Sequence, residues 1–272
     1  LSAYTNPPHQ APPPVKLRKL PVNTEIILSA SNVSLIPNGS DIAILDGIKL
    51  EIKKGEFVSI MGNSGAGKST LLYCLSSIEK PTSGEIKLHG RRIDNLPERK
   101  LHEIRRKIGF VFQQINLLPH LTIIENTALA GLIPKSGLPK NKVYDRARSL
   151  LRESGIENTA DRLPASTSGG QQQRAAVARA LMREPEIIFA DEPTGALNSK
   201  ASRDVLDLLS KINCEGQTVI MVTHDPKAAA RAERVIYLED GNIIDECILS
   251  ADIDSETKRE EIVLKWLKEI GW

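Results

Sequence analysis

No apolar run in this 272-residue chain approaches the roughly 18 residues that span a bilayer, so membrane crossing falls to another chain if the protein works at a membrane. Cysteine is scarce. Cys74, Cys214 and Cys247 are widely separated and form neither a CxxC nor a metal-ligand spacing, and they read as reduced thiols of a cytosolic protein. An excess of one charge is also missing. Lys plus Arg number 36 against 34 for Asp plus Glu, a net charge of +2, and this balance gives no support to a nucleic-acid partner. Residues 1–24 lack both the apolar segment of a signal peptide and the acid-poor amphipathic helix of a transit peptide. They are rich in proline instead (Pro7, Pro8, Pro12, Pro13, Pro14, Pro21) and read as a flexible tail, with a polyproline partner motif at Pro12–Pro14 as the alternative. No internal repeat is present, and the length allows one or two domains.

What is present centres on Gly62-Asn63-Ser64-Gly65-Ala66-Gly67-Lys68-Ser69-Thr70. An apolar strand-like run, Phe57 to Met61, precedes it, and a helix-like run, Leu71 to Leu75, follows. Gly-four-Gly-Lys-Ser between a strand and a helix is the pattern of a P-loop. Its glycines let consecutive N–H groups turn inward toward a polyphosphate, and the helix behind aims its positive end at the same anion. Lys68 adds a point charge for the β- and γ-phosphates, and the Ser69 hydroxyl is placed to bind Mg²⁺. The plainer alternative is a glycine-rich turn beside a surface lysine.

Short strand-like runs lie on either side of this loop. Ile26 to Leu28, Ile42 to Leu45 and Ile48 to Ile52 precede it, with turns at Asn38-Gly39 and Lys54-Gly55. After the loop helix, Pro81 to Gly84 reads as a turn and Glu85 to Gly90 as a further strand, which together suggest an antiparallel sheet beside the phosphate-binding core. Pro97 reads as the first-turn residue of a charged helix reaching about Arg106. Ile108 to Phe112 reads as a core strand, and Gln113 at its carboxyl end stands where ligands bind in open α/β sheets, though a solvated glutamine is the common case. From Leu117 to Met182 the pattern is mostly helical, with Gly155 placed to end a helix that runs through Leu151.

Two further apolar strands end in polar groups. Ile187 to Ala190 runs into Asp191-Glu192, and Thr218 to Thr223 runs into His224. Continuous apolar runs suit parallel strands covered on both faces. Asp191 then lies near the Mg²⁺ position of Ser69, Glu192 can polarise an attacking water, and His224 can sense or orient the γ-phosphate, unless it is structural. Ser168-Gly169-Gly170-Gln171 opens an alanine-rich helix whose N-terminus is a second anion site, or simply a cap.

With these residues in this order, the chain resembles the nucleotide-binding subunit of an ATP-binding cassette (ABC) transporter along about Ile26 to Ile244. Phe110 to Gln114, Leu117-Leu118-Pro119 and Asp191 to Leu197 look like the branch of macrolide exporters, lipoprotein-releasing systems and bacitracin resistance. The resemblance implies an α/β P-loop NTPase with a parallel core sheet, a flanking antiparallel β unit and a helical unit at about 115–182. The ATPase domain then covers 25–248, and 249–272 forms a C-terminal helical extension. It further implies a homodimer with two ATP and Mg²⁺ between the subunits. Residues 62–70 hold nucleotide with Gln113, Ser168, Gly169, Gly170, Gln171 and Asn198, of which Ser168 and Gly170 cover the nucleotide held by the other subunit. Ser69, Gln113 and Asp191 serve the metal, and Glu192 and His224 serve hydrolysis. The partner is a polytopic permease, and the location is peripheral, on the cytoplasmic face of the membrane.

Three positions depart from the family pattern. Thr167 stands where Leu is usual, Asn198 where Asp is usual, and no aromatic residue for adenine stacking lies near Ile36-Pro37, which leaves base selectivity open. A mechanotransmission complex that moves no substrate has the same ATPase machinery and stays open. A soluble ABC ATPase is disfavoured, because the chain has neither a long coiled-coil insertion nor a second cassette. A small-molecule P-loop kinase has no use for Ser168 to Gln171. The apolar positions of 252–272 recur at helical spacing, and the segment is expected to pack on its own domain, with a membrane or permease surface as the alternative.

Overall fold

The computed structural model describes residues 25–132, 139–250, 252–253 and 255–272; the proline-rich segment 1–24, with its expected flexible character, lies outside them. In chain order come β1 (Ile26–Leu35), β2 (Leu45–Lys53), β3 (Phe57–Met61), α1 (Lys68–Leu75), β4 (Ser83–Leu88), β5 (Arg91–Arg92), α2 (Glu98–Arg105) and β6 (Ile108–Val111). Next are α3 (Ile123–Leu132), α4 (Lys140–Glu153), α5 (Gly169–Leu181), β7 (Ile187–Asp191) and α6 (Ser199–Cys214). The chain closes with β8 (Thr218–Val222), α7 (Pro226–Ala229), β9 (Arg234–Glu239), β10 (Asn242–Ile248) and α8 (Glu256–Glu269).

The central sheet has the order β10-β9-β3-β8-β7-β6, parallel throughout except for the antiparallel β10 edge. Every residue of β3, β7 and β8 is buried, as continuous apolar runs require. Parallel pairing brings the carboxyl ends of β3, β6, β7 and β8 to one edge, and that edge carries the site. A second, antiparallel sheet, β2-β1-β4-β5, packs its inner residues, among them Val33, Ile48 and Ile52, over Ile60, Leu71 and Leu72. Strand β2 shows the expected alternation, with Ile48, Leu50 and Ile52 inward and Lys49, Glu51 and Lys53 outward. The helices α3, α4 and α5 share a separate cluster built on Ile123, Val143, Leu151, Ala175 and Ala178. The Gly155 N–H donates to Arg152 O and the Ile156 N–H to Leu151 O, so Gly155, at φ +68°, ends α4 as read.

Several local expectations change. Of Ile42–Leu45 only Leu45 is strand. Leu35 pairs directly with Leu45, so residues 36–44 form the connection that closes the pair, and Ile42 is 78% exposed. Strand β4 starts at Ser83 and stops at Leu88, while His89 and Gly90 turn with positive φ. Pro97, extended at ψ 151°, is the cap before α2 rather than its first residue. The sequence pattern does not mark strands β9 and β10, which Asp240-Gly241 joins. Both turn residues have positive φ (43° and 77°), the requirement of a tight two-residue hairpin. Finally, α8 packs on its own domain: Val263 and Leu267 are buried beside Tyr237, and Trp266 meets the Tyr237 ring edge-on at 6.4 Å.

Candidate functional site

The phosphate loop begins where β3 ends. Gly62 lies at φ +151°, and a Cβ there would stand 2.0 Å from the Leu238 carbonyl of β9, so the chain passes only as glycine. Gly67, at φ +96°, precedes α1, and a Cβ there would stand 2.7 Å from the Ile44 carbonyl. The Lys68 side chain is 9% exposed, and its ammonium donates to Gly62 O and Asn63 O at 2.8 Å each. Burial pulls its pKa below the usual lysine range, and the charges of Glu192 and Asp191 oppose that shift. A cation held by the carbonyls of a glycine-rich loop, at the N-terminus of a helix, is suited to a polyphosphate.

The Ser69 hydroxyl donates to Asp191 Oδ1 at 2.9 Å, across 122 residues of sequence. Asp191, at the carboxyl end of β7, is 2% exposed, and its Oδ2 accepts from the Tyr73 hydroxyl at 2.9 Å. Burial first, then this bond and the carboxylate charge, push the Tyr73 phenol up to about 12. Sequence reading missed Tyr73. The available signal was its place four residues after Ser69, on the same face of α1. A hydroxyl and a carboxylate side by side are hard oxygen donors, and Mg²⁺ is commonly held by one or two carboxylates plus substrate phosphate. That donor set fits the ion.

Glu192 follows β7 with φ +44°, a backbone state that costs a non-glycine residue on the order of 1–3 kcal/mol and collects at active sites. Its N–H donates to Val222 O at 3.0 Å, which ties it to the neighbouring strand. His224, two residues past β8, places Nδ1 2.9 Å from Glu192 Oε1. The histidine side chain is 69% exposed and the glutamate 12%, so a half-buried carboxylate holds a histidine that faces an open cleft.

A cavity of about 530 Å³ is lined by Ser64, Gly65, Gly67, Lys68, Ser69, Thr70, Gln113, Glu192, His224 and Ile44. Residues from four strand ends thus meet on one space. Its apolar lining residue is Ile44, and among the described residues no aromatic ring lines it. Asn63 contributes its carbonyl to Lys68, and Ala66 is buried beneath the loop.

The remaining expected residues lie apart from this cavity. Ser168 caps α5 by accepting from the Gln171 N–H, and the Gln171 side chain accepts from the Ser168 N–H, a complete capping box. Gly170 lies against Ala201 of α6, where a Cβ would approach to 2.7 Å. Gly169 opens α5, and Asn198 caps α6 through the Ala201 N–H at 2.9 Å. None of these five residues lines the cavity of its own chain. The Thr167 hydroxyl is satisfied locally by Pro164 O at 2.8 Å.

Residues 45–195 match the family model described as ABC transporter. The chain is 45% identical over 221 residues to the lipoprotein-releasing system ATP-binding protein LolD of Aquifex aeolicus, covering 81% of this chain and 97% of that one. It is 48% identical over 202 residues to the bacitracin export ATP-binding protein BceA of Halalkalibacterium halodurans, covering 74% and 79% respectively. Among solved structures, a dimeric post-hydrolysis ATP-binding cassette bound to ADP and Pi superposes with a TM-score of 0.76 at 43% identity, covering 82% of this chain and 99% of that one. Together with the phosphate loop and the acidic strand end beside it, these likenesses show that the chain belongs to the ABC transporter family, as an ATP-binding and ATP-hydrolysing cassette.

Proposed function

We propose that this cassette is the peripheral subunit, on the cytoplasmic face of the membrane, that powers a polytopic permease exporting or extracting a lipoprotein, peptide or antibiotic-like substrate. The substrate class follows the named activities of the relatives. No helix among the described residues is long and apolar enough to cross a membrane, which fits a separate permease chain. The observation that carries the reading is a division of the site. The phosphate loop, Gln113, Glu192 and His224 share one cavity, while Ser168, Gly169, Gly170, Gln171 and Asn198 sit together off it. Two such halves complete each other in a homodimer, where the α5 N-terminus of one subunit covers the nucleotide held by the other.

In this assembly the N–H groups of residues 62–70 and Lys68 bind and orient the ATP phosphates. Ser69, Asp191 and Gln113 would hold Mg²⁺, which would supply charge neutralisation at the transferring phosphoryl group. Glu192 takes the proton of the attacking water, and His224 holds that carboxylate in place from Nδ1. Interface contacts made only with ATP bound favour the closed dimer, and their loss after hydrolysis reopens it.

The test is Glu192→Gln. Glutamine keeps an oxygen for His224 and removes the base, so turnover should fall about 10²- to 10⁴-fold. ATP-dependent dimerisation, read by light scattering after size exclusion, should persist. Turnover near wild type removes Glu192 from the base role.

A further inference from the structure

Helix α7 is one turn long, and a turn of this length does not sustain itself in water. Its placement bears on the site, because it starts two residues after His224. Asp225, between them, caps α7 by accepting from the Lys227 N–H at 2.9 Å, and its own N–H donates to Thr223 Oγ1 at 3.1 Å. Upstream, the Thr223 N–H donates to Ile60 O of β3, so that side is held by the sheet.

Downstream, the support comes from α8. A helix leaves its last carbonyls without partners, and those following α7 are met by Arg259. This arginine is 1% exposed. It donates from Nε to Ala230 O at 2.8 Å, from Nη2 to Ala232 O, and from Nη1 to Ser250 O at 3.2 Å. A cation at a helix C-terminus also complements the helix dipole. Beside it, Arg231 Nη1 bridges Asp207 of α6 at 2.9 Å and Glu256 of α8 at 2.8 Å. Burying a guanidinium is unfavourable unless its donors are used, and here a helix outside both sheets spends one on the segment behind His224. Glu256 and Glu260 of α8 also face Glu192 and His224 across a single cleft of about 690 Å³.

We propose that α8 is a positioning element for the His224–Glu192 pair, with Arg259 supplying side-chain donors to the carbonyls at the C-terminal end of α7 and Glu256 fixing Arg231 beside it. Both are positioning residues. They act through α7 on His224, so the proposal rests on the role of His224 given above.

A double-mutant cycle on the full chain tests it, with steady-state ATPase kinetics as the readout. Arg259→Met keeps the apolar stem and removes the guanidinium. It should lower kcat by about tenfold while KM for ATP stays within about twofold, because the phosphate-loop contacts are untouched. In a His224→Ala background the same substitution should change kcat by less than about twofold, since its target is gone. Arg259→Lys, which retains a donor, should recover part of the loss. Equal fold-losses in the two backgrounds, or a raised KM with kcat unchanged, overturn the proposal. If thermal unfolding shows that Arg259→Met does not fold, Glu256→Gln at its more exposed position replaces it. Its expected loss in kcat, about two- to fivefold for one ion pair, must likewise vanish with His224→Ala. Wild-type kcat in His224→Ala alone would overturn the role of His224, and the proposal with it.

Discussion

Replacing Tyr73 by Phe removes one oxygen and leaves the ring in place. In the wild type that oxygen donates to Asp191 Oδ2 at 2.9 Å, while Ser69 holds Oδ1 at the same distance. Burial and the adjacent carboxylate push the phenol up to about 12, so at neutral pH it is a proton donor and never a competing anion. A hydrogen bond to a charged group contributes about 1.5–3 kcal/mol. Tyr73 is partly exposed, and water recovers some of that, which leaves a net loss of about 1.4 kcal/mol, or tenfold. The value is the lower end of the roughly 10- to 100-fold losses seen when an outer partner of a metal ligand is removed. The assay is a Mg²⁺ titration of ATPase activity at saturating ATP, alongside calorimetric titration of Mg²⁺ with ATP bound. The half-saturating Mg²⁺ concentration should rise about tenfold, with kcat at saturating Mg²⁺ within about threefold of wild type. The linkage to pH gives a second signature. An unfolded tyrosine ionises near 10 and Tyr73 near 12, so its contribution to stability is complete below pH 10 and is lost as pH rises through about 12. The Phe variant should lack that part of the alkaline loss. An unchanged Mg²⁺ half-saturation would refute the claim that Tyr73 orients Asp191 for the metal.

Gly62→Ala should destabilise the fold by about 2–6 kcal/mol, combining backbone strain at φ +151° with overlap of the new Cβ on Leu238 O at 2.0 Å. Urea unfolding measures it, and a loss below about 1 kcal/mol would show that β3 and β9 part more easily than their register implies. Asn198→Asp keeps the oxygen that accepts from the Ala201 N–H and adds a charge at a helix N-terminus, so thermal stability should hold or rise by about 0.3–1 kcal/mol. The same variant tests the hypothesis that Asn198 alters coupling between the two sites of a dimer. Its ATPase cooperativity should change, and unchanged kinetics and cooperativity would sink that idea.

Sequence reading worked best where chemistry and local pattern coincide. The phosphate loop, the Asp191-Glu192 strand end and His224 sit where an apolar run meets a polar residue type that its position demands, and the Ser168 cap is marked by Gln171 three residues on. Ile42 to Ile44 show the opposite case. They are as apolar as a strand, yet the pairing of Leu35 with Leu45 leaves them in a connection, and no local signal reports that register. The β9–β10 hairpin was legible in principle from Asp240-Gly241, and its neighbours are too mixed in polarity to announce themselves, since β10 is an exposed edge.

By itself, the sequence determined the family, the phosphate-binding loop and which residue types stand at the carboxyl ends of the core strands, because hydrophobic period, glycine spacing and capping act over a few residues. Only the tertiary structure decided that Tyr73 and Ser69 share Asp191, that Gly62 passes beneath Leu238, and that Arg259 closes the turn behind His224. These contacts join segments tens to more than a hundred residues apart, and they form only when buried apolar area outweighs the entropy of bringing such segments together.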